Sequence, residues 1–197
     1  MNFLAHLYLS GSDPLIQIGN FIGDHVKGRQ YERYAPGIQK GILLHRKIDH
    51  FTDQHAIVKT SCSHLNEKYG RYSGIVIDVF YDHFLAQNWK DYHEDSLKNF
   101  VSGVHRLLLF NYFKLPRGVK RFLPFLVKSR RLETYATTQG IERALKIMSG
   151  YSSLPDHTEW AMQQMEVHYS DLNDEFKRFF TELKAMVELE IKEDITA

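Results

Sequence analysis

Residues 75–86, IVIDVFYDHFLA, restrict the fold more than any other stretch of this chain. Ile75, Val76, Ile77, Val79, Phe80, Phe84 and Leu85 cover every direction of a helical wheel, so the segment reads as a helix buried on all sides. A helix of that kind has to be surrounded by other elements. Asp78 and Asp82 interrupt its apolar surface four residues apart, which places them about 40° apart around the axis at roughly 100° per residue. Like charges at that spacing repel, and each is costly to bury unpaired. No Lys or Arg lies within the segment, so a cation from elsewhere is expected between the two carboxylates.

The surrounding sequence is punctuated as helices. Asp13 as N-cap and Pro14 at the first helical position open DPLIQIGNFIGDHVKG, which closes at Gly28. Pro36 opens PGIQKGILLHRKIDHF, where Leu44, Ile48 and Phe51 form a stripe at helical spacing. A helix over 55–69 ends at Gly70, and another spans 94–113 with Asp95 or Ser96 as cap. From Asp156 to Glu193 apolar positions recur at helical spacing, with a polar break at HYSDLND. No run of alternating strands, internal repeat or low-complexity linker is present. The expectation is an all-α single domain over 1–197, a bundle of about seven or eight helices.

Bulk properties exclude several function classes. With 25 Lys plus Arg against 24 Asp plus Glu the formal charge is +1, so no global field for nucleic acid is expected. No apolar run reaches the ~18 residues that a membrane span needs, and MNFLAHLYLSGSD lacks the basic start of a secretory signal. Cys62, the one cysteine, excludes an internal disulfide and suits a reducing compartment, so a cytoplasmic protein is expected.

The 11 histidines are the compositional surprise. Asn2 and His6, Asn20 and Asp24, and His45 and Asp49 repeat the four-residue spacing of Asp78 and Asp82, each on an apolar helical segment. If the rims of these helices converge, imidazoles and carboxylates gather inside a bundle, where helical metal sites form. Without a nearby thiolate, such a donor set suits Mn2+, Fe2+ or Mg2+, with Zn2+ less favoured. A hard divalent ion binds phosphate oxygens and acidifies bound water, so phosphoester hydrolysis is the natural reaction. Each piece also has a plainer reading. HRKIDHFTD reads equally as a solvated face with Arg46 pairing Asp49, His6 as a hydrogen-bonded core histidine, and Asn20 as hydrogen-bonding support.

KLPRGVKRFLPFLVKSRR, residues 114–131, has no acidic residue and carries Lys114, Arg117, Lys120, Arg121, Lys128, Arg130 and Arg131. Interleaved Leu115, Phe122, Leu123, Phe125 and Leu126 make it amphipathic, fit to dock on an acidic surface that also offers apolar contacts. An acidic protein, a phosphate-bearing ligand or an anionic membrane all fit it, as does a solvated loop.

The segments MNFLAHLYLS, IGNFIGDHVKG, GILLHRKIDHFTDQH and VFYDHFLAQNW, in this order, resemble the acyl carrier protein phosphodiesterase family, most distinctively over the first ninety or so residues. That resemblance implies a helical, divalent-metal-dependent hydrolase, manganese favoured and distantly HD-phosphohydrolase-like. It would cut the phosphodiester between 4'-phosphopantetheine and a serine of holo acyl carrier protein. It also implies that Asp24, His45, Asp49, Asp78 and Asp82 hold the metal. The His-Asp dipeptide that names the HD superfamily is absent; the reverse order occurs at Asp24-His25, Asp49-His50, Asp82-His83 and Asp156-His157. On this reading His83 or His6 is the general acid for the serine leaving group. Lys120, Arg121, Arg130 and Arg131 would steer the acidic carrier. An HD-like phosphohydrolase of a nucleotide or other small phosphoester, and a non-enzymatic helical module that binds an acidic protein, are the rival readings.

Overall fold

The computed structural model describes residues 2–196, with side chains up to Lys192. Among the described residues there is no strand, and twelve α-helices follow one another: α1 (Phe3–Leu9), α2 (Pro14–Ile22), α3 (Pro36–Gln54), α4 (Ala56–Ser63), α5 (Asn66–Tyr69), α6 (Ser73–Gln87), α7 (Leu97–Phe110), α8 (Arg117–Ser129), α9 (Arg131–Thr134), α10 (Thr138–Tyr151), α11 (Thr158–Val167) and α12 (Tyr169–Thr196). The all-α expectation holds, but seven or eight helices is too few. Short breaks split what reads as continuous helix: Ser63 to Asn66 divides the 55–69 segment, and Arg130, with φ at 47°, separates α8 from the single turn α9. The polar HYSDLND stretch breaks the C-terminal run as expected, between α11 and α12.

Local signals set the helix starts. Asp13 accepts from the N–H groups of Leu15 and Ile16 with Pro14 beside it, and Ser96 accepts from the N–H of Asn99 to open α7. Gly70, at φ 49°, closes α5 in a conformation that a side chain would disfavour.

Helix α6 is the centre of the fold. Val76, Ile77, Val79, Phe80, Tyr81, Phe84 and Leu85 are fully buried, and of its apolar residues only Ile75 reaches solvent appreciably. It packs against α1, α4, α10 and α12, which is the enclosure that its uninterrupted wheel requires.

Asp82 has its partner in the amino end of α1. Its Oδ2 accepts from the N–H of Leu4 at 2.9 Å and its Oδ1 from that of Ala5 at 3.0 Å, while Asn2 accepts from the N–H of Phe3 at 2.9 Å. Three of the four donors that any helix leaves unpaired at its start are thereby satisfied inside the protein. The expected cation is therefore supplied at Asp82 by the partial positive charge of a helix terminus. Burial lifts the Asp82 carboxyl to about 7 against the opposing pull of those two N–H groups. Asp78, half-buried one turn earlier, is raised by burial, and the charges of Asp49 and Asp53 push it the same way.

The tightest helix contact is between α2 and α3. A Cβ on Gly19 would stand 2.1 Å from the carbonyl oxygen of Ile38, and one on Gly41 would stand 2.2 Å from that of Ile16. The two backbones touch here. One turn further along, a Cβ on Gly23 would meet the His45 ring at 2.2 Å. Gly19 on α2 and Gly23 in the 3-10 turn that follows it thus let the Asn20–Asp24 edge lie directly on the His45–Asp49 edge of α3.

Candidate metal centre

Three helix rims converge beside the α2–α3 crossing. His6 from α1 and His45 and Asp49 from α3 each place a ligand atom within 4.8 Å of the others, and Asp24 joins from the 3-10 turn that ends α2. The His6 and His45 rings stack with centroids 4.1 Å apart. Asp49 lies between them, Oδ1 3.1 Å from His6 Nε2 and Oδ2 3.1 Å from His45 Nε2, while Asp24 Oδ1 is 3.4 Å from the same His45 nitrogen. The histidines are buried, but the Asp24 and Asp49 side chains are 63% and 36% exposed, so the group opens to solvent on its carboxylate side.

Buried Asn20 fixes the His6 tautomer. Its Nδ2 donates to the His6 carbonyl and to Ser10 Oγ, both at 2.9 Å, which leaves Oδ1 to accept from His6 Nδ1 at 2.7 Å. Burial lowers the His6 pKa to about 4, so at neutral pH its Nε2 carries a lone pair aimed at a carboxylate oxygen. His45 Nε2 is buried between two carboxylates, yet neither approach is aligned as a hydrogen bond. Burial pulls His45 down, but Asp24 and Asp49 more than offset it and raise its pKa to about 9. His45 and His6 together outweigh burial at Asp49 and hold that carboxyl well below the usual range, and His45 likewise lowers Asp24. Two imidazole nitrogens and two ionised carboxylates with this spacing fit a divalent cation.

The family model described as acyl carrier protein phosphodiesterase matches residues 1–183. The chain belongs to the acyl carrier protein phosphodiesterase family. It is therefore a phosphoric diester hydrolase. It is 32% identical over 181 residues to the acyl carrier protein phosphodiesterase of Yersinia enterocolitica, covering 91% of this chain and 94% of the relative. It is also 32% identical over 192 residues to that of Klebsiella pneumoniae (strain 342), covering 95% and 98%. No solved structure matches it. No helix among the described residues is long and apolar enough to cross a membrane.

Within this family member, the structure brings Asp24, His45 and Asp49 together and adds His6, which the sequence suggested as a general acid. The i, i+4 pairs were the signal for this group, and Asn20 has the supporting role expected of it. Asp78 and Asp82 lie outside the group of converging ligand atoms. His83 is fully buried, its Nδ1 donating to the Tyr135 carbonyl at 2.7 Å and its ring against Phe84 and Tyr169, so it secures the turn after α9. Arg46 donates to the carbonyls of Val26 (2.9 Å) and Gly28 (2.7 Å), pinning the segment just after Asp24.

The basic segment forms α8, and its first two turns border the centre. A Cβ on Gly118 would stand 2.7 Å from His25 Nδ1, and Phe122 stacks on the same ring, next in sequence to Asp24. Arg121 is exposed and Lys120 half-buried. Arg130 pairs with Glu133, and Arg131 donates to the Ala144 carbonyl. Arg130 remains exposed and also donates to Ser102 on α7, while Arg131 ties α9 to α10.

Proposed function

We propose that this enzyme hydrolyses the phosphodiester between 4'-phosphopantetheine and the serine of holo acyl carrier protein in a metal-dependent reaction. The observation that carries the reading is the convergence of His6, His45, Asp49 and Asp24 at a solvent-facing rim beside a cationic helix. These four residues hold a divalent ion, Mn2+ or Fe2+ rather than Mg2+ because two of the donors are imidazoles. When bound, the ion supplies a polarised phosphate oxygen and an acidified water. Water adds to phosphorus, the bond from phosphorus to the serine oxygen breaks, and that oxygen takes up the proton. Asn20 keeps the His6 lone pair on the metal side throughout, and Gly23 leaves room for the His45 ring. Family membership favours this substrate over a nucleotide, and a cationic approach suits an acidic carrier.

Intact-mass analysis of holo carrier incubated with the enzyme tests this directly. Loss of the phosphopantetheine mass with Mn2+, and its retention with a chelator, is the expected result. Retention under both conditions, with a carrier that another enzyme accepts, overturns the substrate.

The metal claim has its own readout. His45, at about 9, is protonated at pH 7 and must lose that proton to bind a cation, whereas His6 is already neutral. Mn2+ binding at pH 7 should release about one proton, and affinity should rise about tenfold per pH unit until the pH reaches the His45 value. Calorimetry in two buffers of different ionisation enthalpy counts that proton; a count near zero removes His45 from the ligand set.

A further inference from the structure

The most exposed apolar side chains beside α8 are Phe110 and Phe113, 87% and 89% exposed, at the knuckle where α7 turns into α8. The knuckle is built rather than loose. Asn111 caps α7 through the Leu107 carbonyl, Lys114 Nζ donates to Asn111 Oδ1 at 3.0 Å, and Lys120 Nζ donates to the Phe113 carbonyl at 3.0 Å while lying over the Tyr112 ring. Two large rings held out in water by a braced turn mark a contact surface more often than chance exposure.

The arrangement around α8 says what that surface meets. At roughly 100° per residue, Gly118 and Phe122, which touch His25 beside the metal centre, lie on one flank of the helix. Lys120, which grips the knuckle, lies on the opposite flank. Exposed Arg117, Arg121 and Lys128 form the ridge between them. The order across the surface is therefore metal centre, cationic ridge, aromatic knuckle, with one helix, α8, between the first and the last. A partner that presents a serine-linked phosphodiester at the first reaches the other two, since a protein–protein footprint of about 800 Å² per side is wider than one helix. We propose that Phe110 and Phe113 are the apolar anchor for the acidic carrier protein, seated when its acidic face lies along Arg117 and Arg121. The inference rests on the carrier-protein reading above and extends it to the docking surface.

The test is the full-length Phe110→Ser/Phe113→Ser double variant. Both rings are exposed, so its circular dichroism and melting temperature should match those of the wild type. With Mn2+ and holo carrier, KM should rise at least tenfold with kcat within twofold of wild type. That KM increase should persist at 0.5 M salt, because an apolar anchor is not screened as the arginine ridge is. A KM within twofold of a wild type that consumes the carrier overturns the anchor alone. A wild type that leaves the carrier intact overturns the substrate reading and the docking with it. Loss of cosedimentation with phosphatidylglycerol vesicles at unchanged KM overturns the anchor by assigning the knuckle to an anionic lipid surface.

Discussion

His45→Ala should reduce kcat on holo carrier about a thousandfold or more, because it removes the one side chain that touches both carboxylates of the centre. The same change should abolish the thermal response to metal. On the proposed metal dependence, Mn2+ at 100 times its dissociation constant should stabilise the wild type by about 2.7 kcal/mol, or roughly 5–10 °C for a domain of this size. The variant should shift by less than about 2 °C under the same conditions. The ring packs against Gly23, so its loss leaves a small space at a solvent-facing rim and the helical content should persist. Activity within tenfold of wild type, with the metal-induced shift retained, would show that His45 is dispensable to the site.

Gly41→Ala should be strongly destabilising. Alanine gains up to about 1 kcal/mol of helix propensity over glycine, but here its Cβ would lie 2.2 Å from the Ile16 carbonyl oxygen and 2.8 Å from Gly19 Cα. Those are backbone atoms, which cannot rotate away, so α2 and α3 have to separate. A net loss of about 2–4 kcal/mol is expected by urea denaturation. Separation also draws Asn20 and Asp24 away from His45, so Mn2+ affinity should fall together with stability. A variant as stable as wild type would mean that the crossing tolerates a wider spacing.

Asp82 shows what burial alone leaves open. The carboxylate is buried and needs positive potential, as the apolar wheel around it demands, and the amino terminus of α1 supplies part of it. Spacing along one helix carries no information about which neighbour faces it. His83, at the polar edge of the same buried helix, holds the Tyr135 carbonyl through Nδ1, a contact that no local pattern shows. His6 was legible as a polar residue four positions from Asn2, while its orientation in the group depends on Asn20, fourteen residues away on another helix. Arg130 and Arg131 belong to a basic run in sequence, and only the structure shows that Arg130 also pairs with Glu133 and Arg131 with the Ala144 carbonyl.

By itself the sequence determined the helical class, the buried central helix, the cap at Asp13, and the polar pairs from which the group at the centre is drawn. It did so because those features depend on periodicity and on contacts within a few residues. Only the tertiary structure decided which polar pairs meet, that α1 brings His6 to the group while taking its own cap from α6, and that α8 lies between the centre and an exposed aromatic knuckle. Those depend on where helices cross, and the α2–α3 crossing is decided by close approach of two backbones at glycines, which leave no hydrophobic pattern to read.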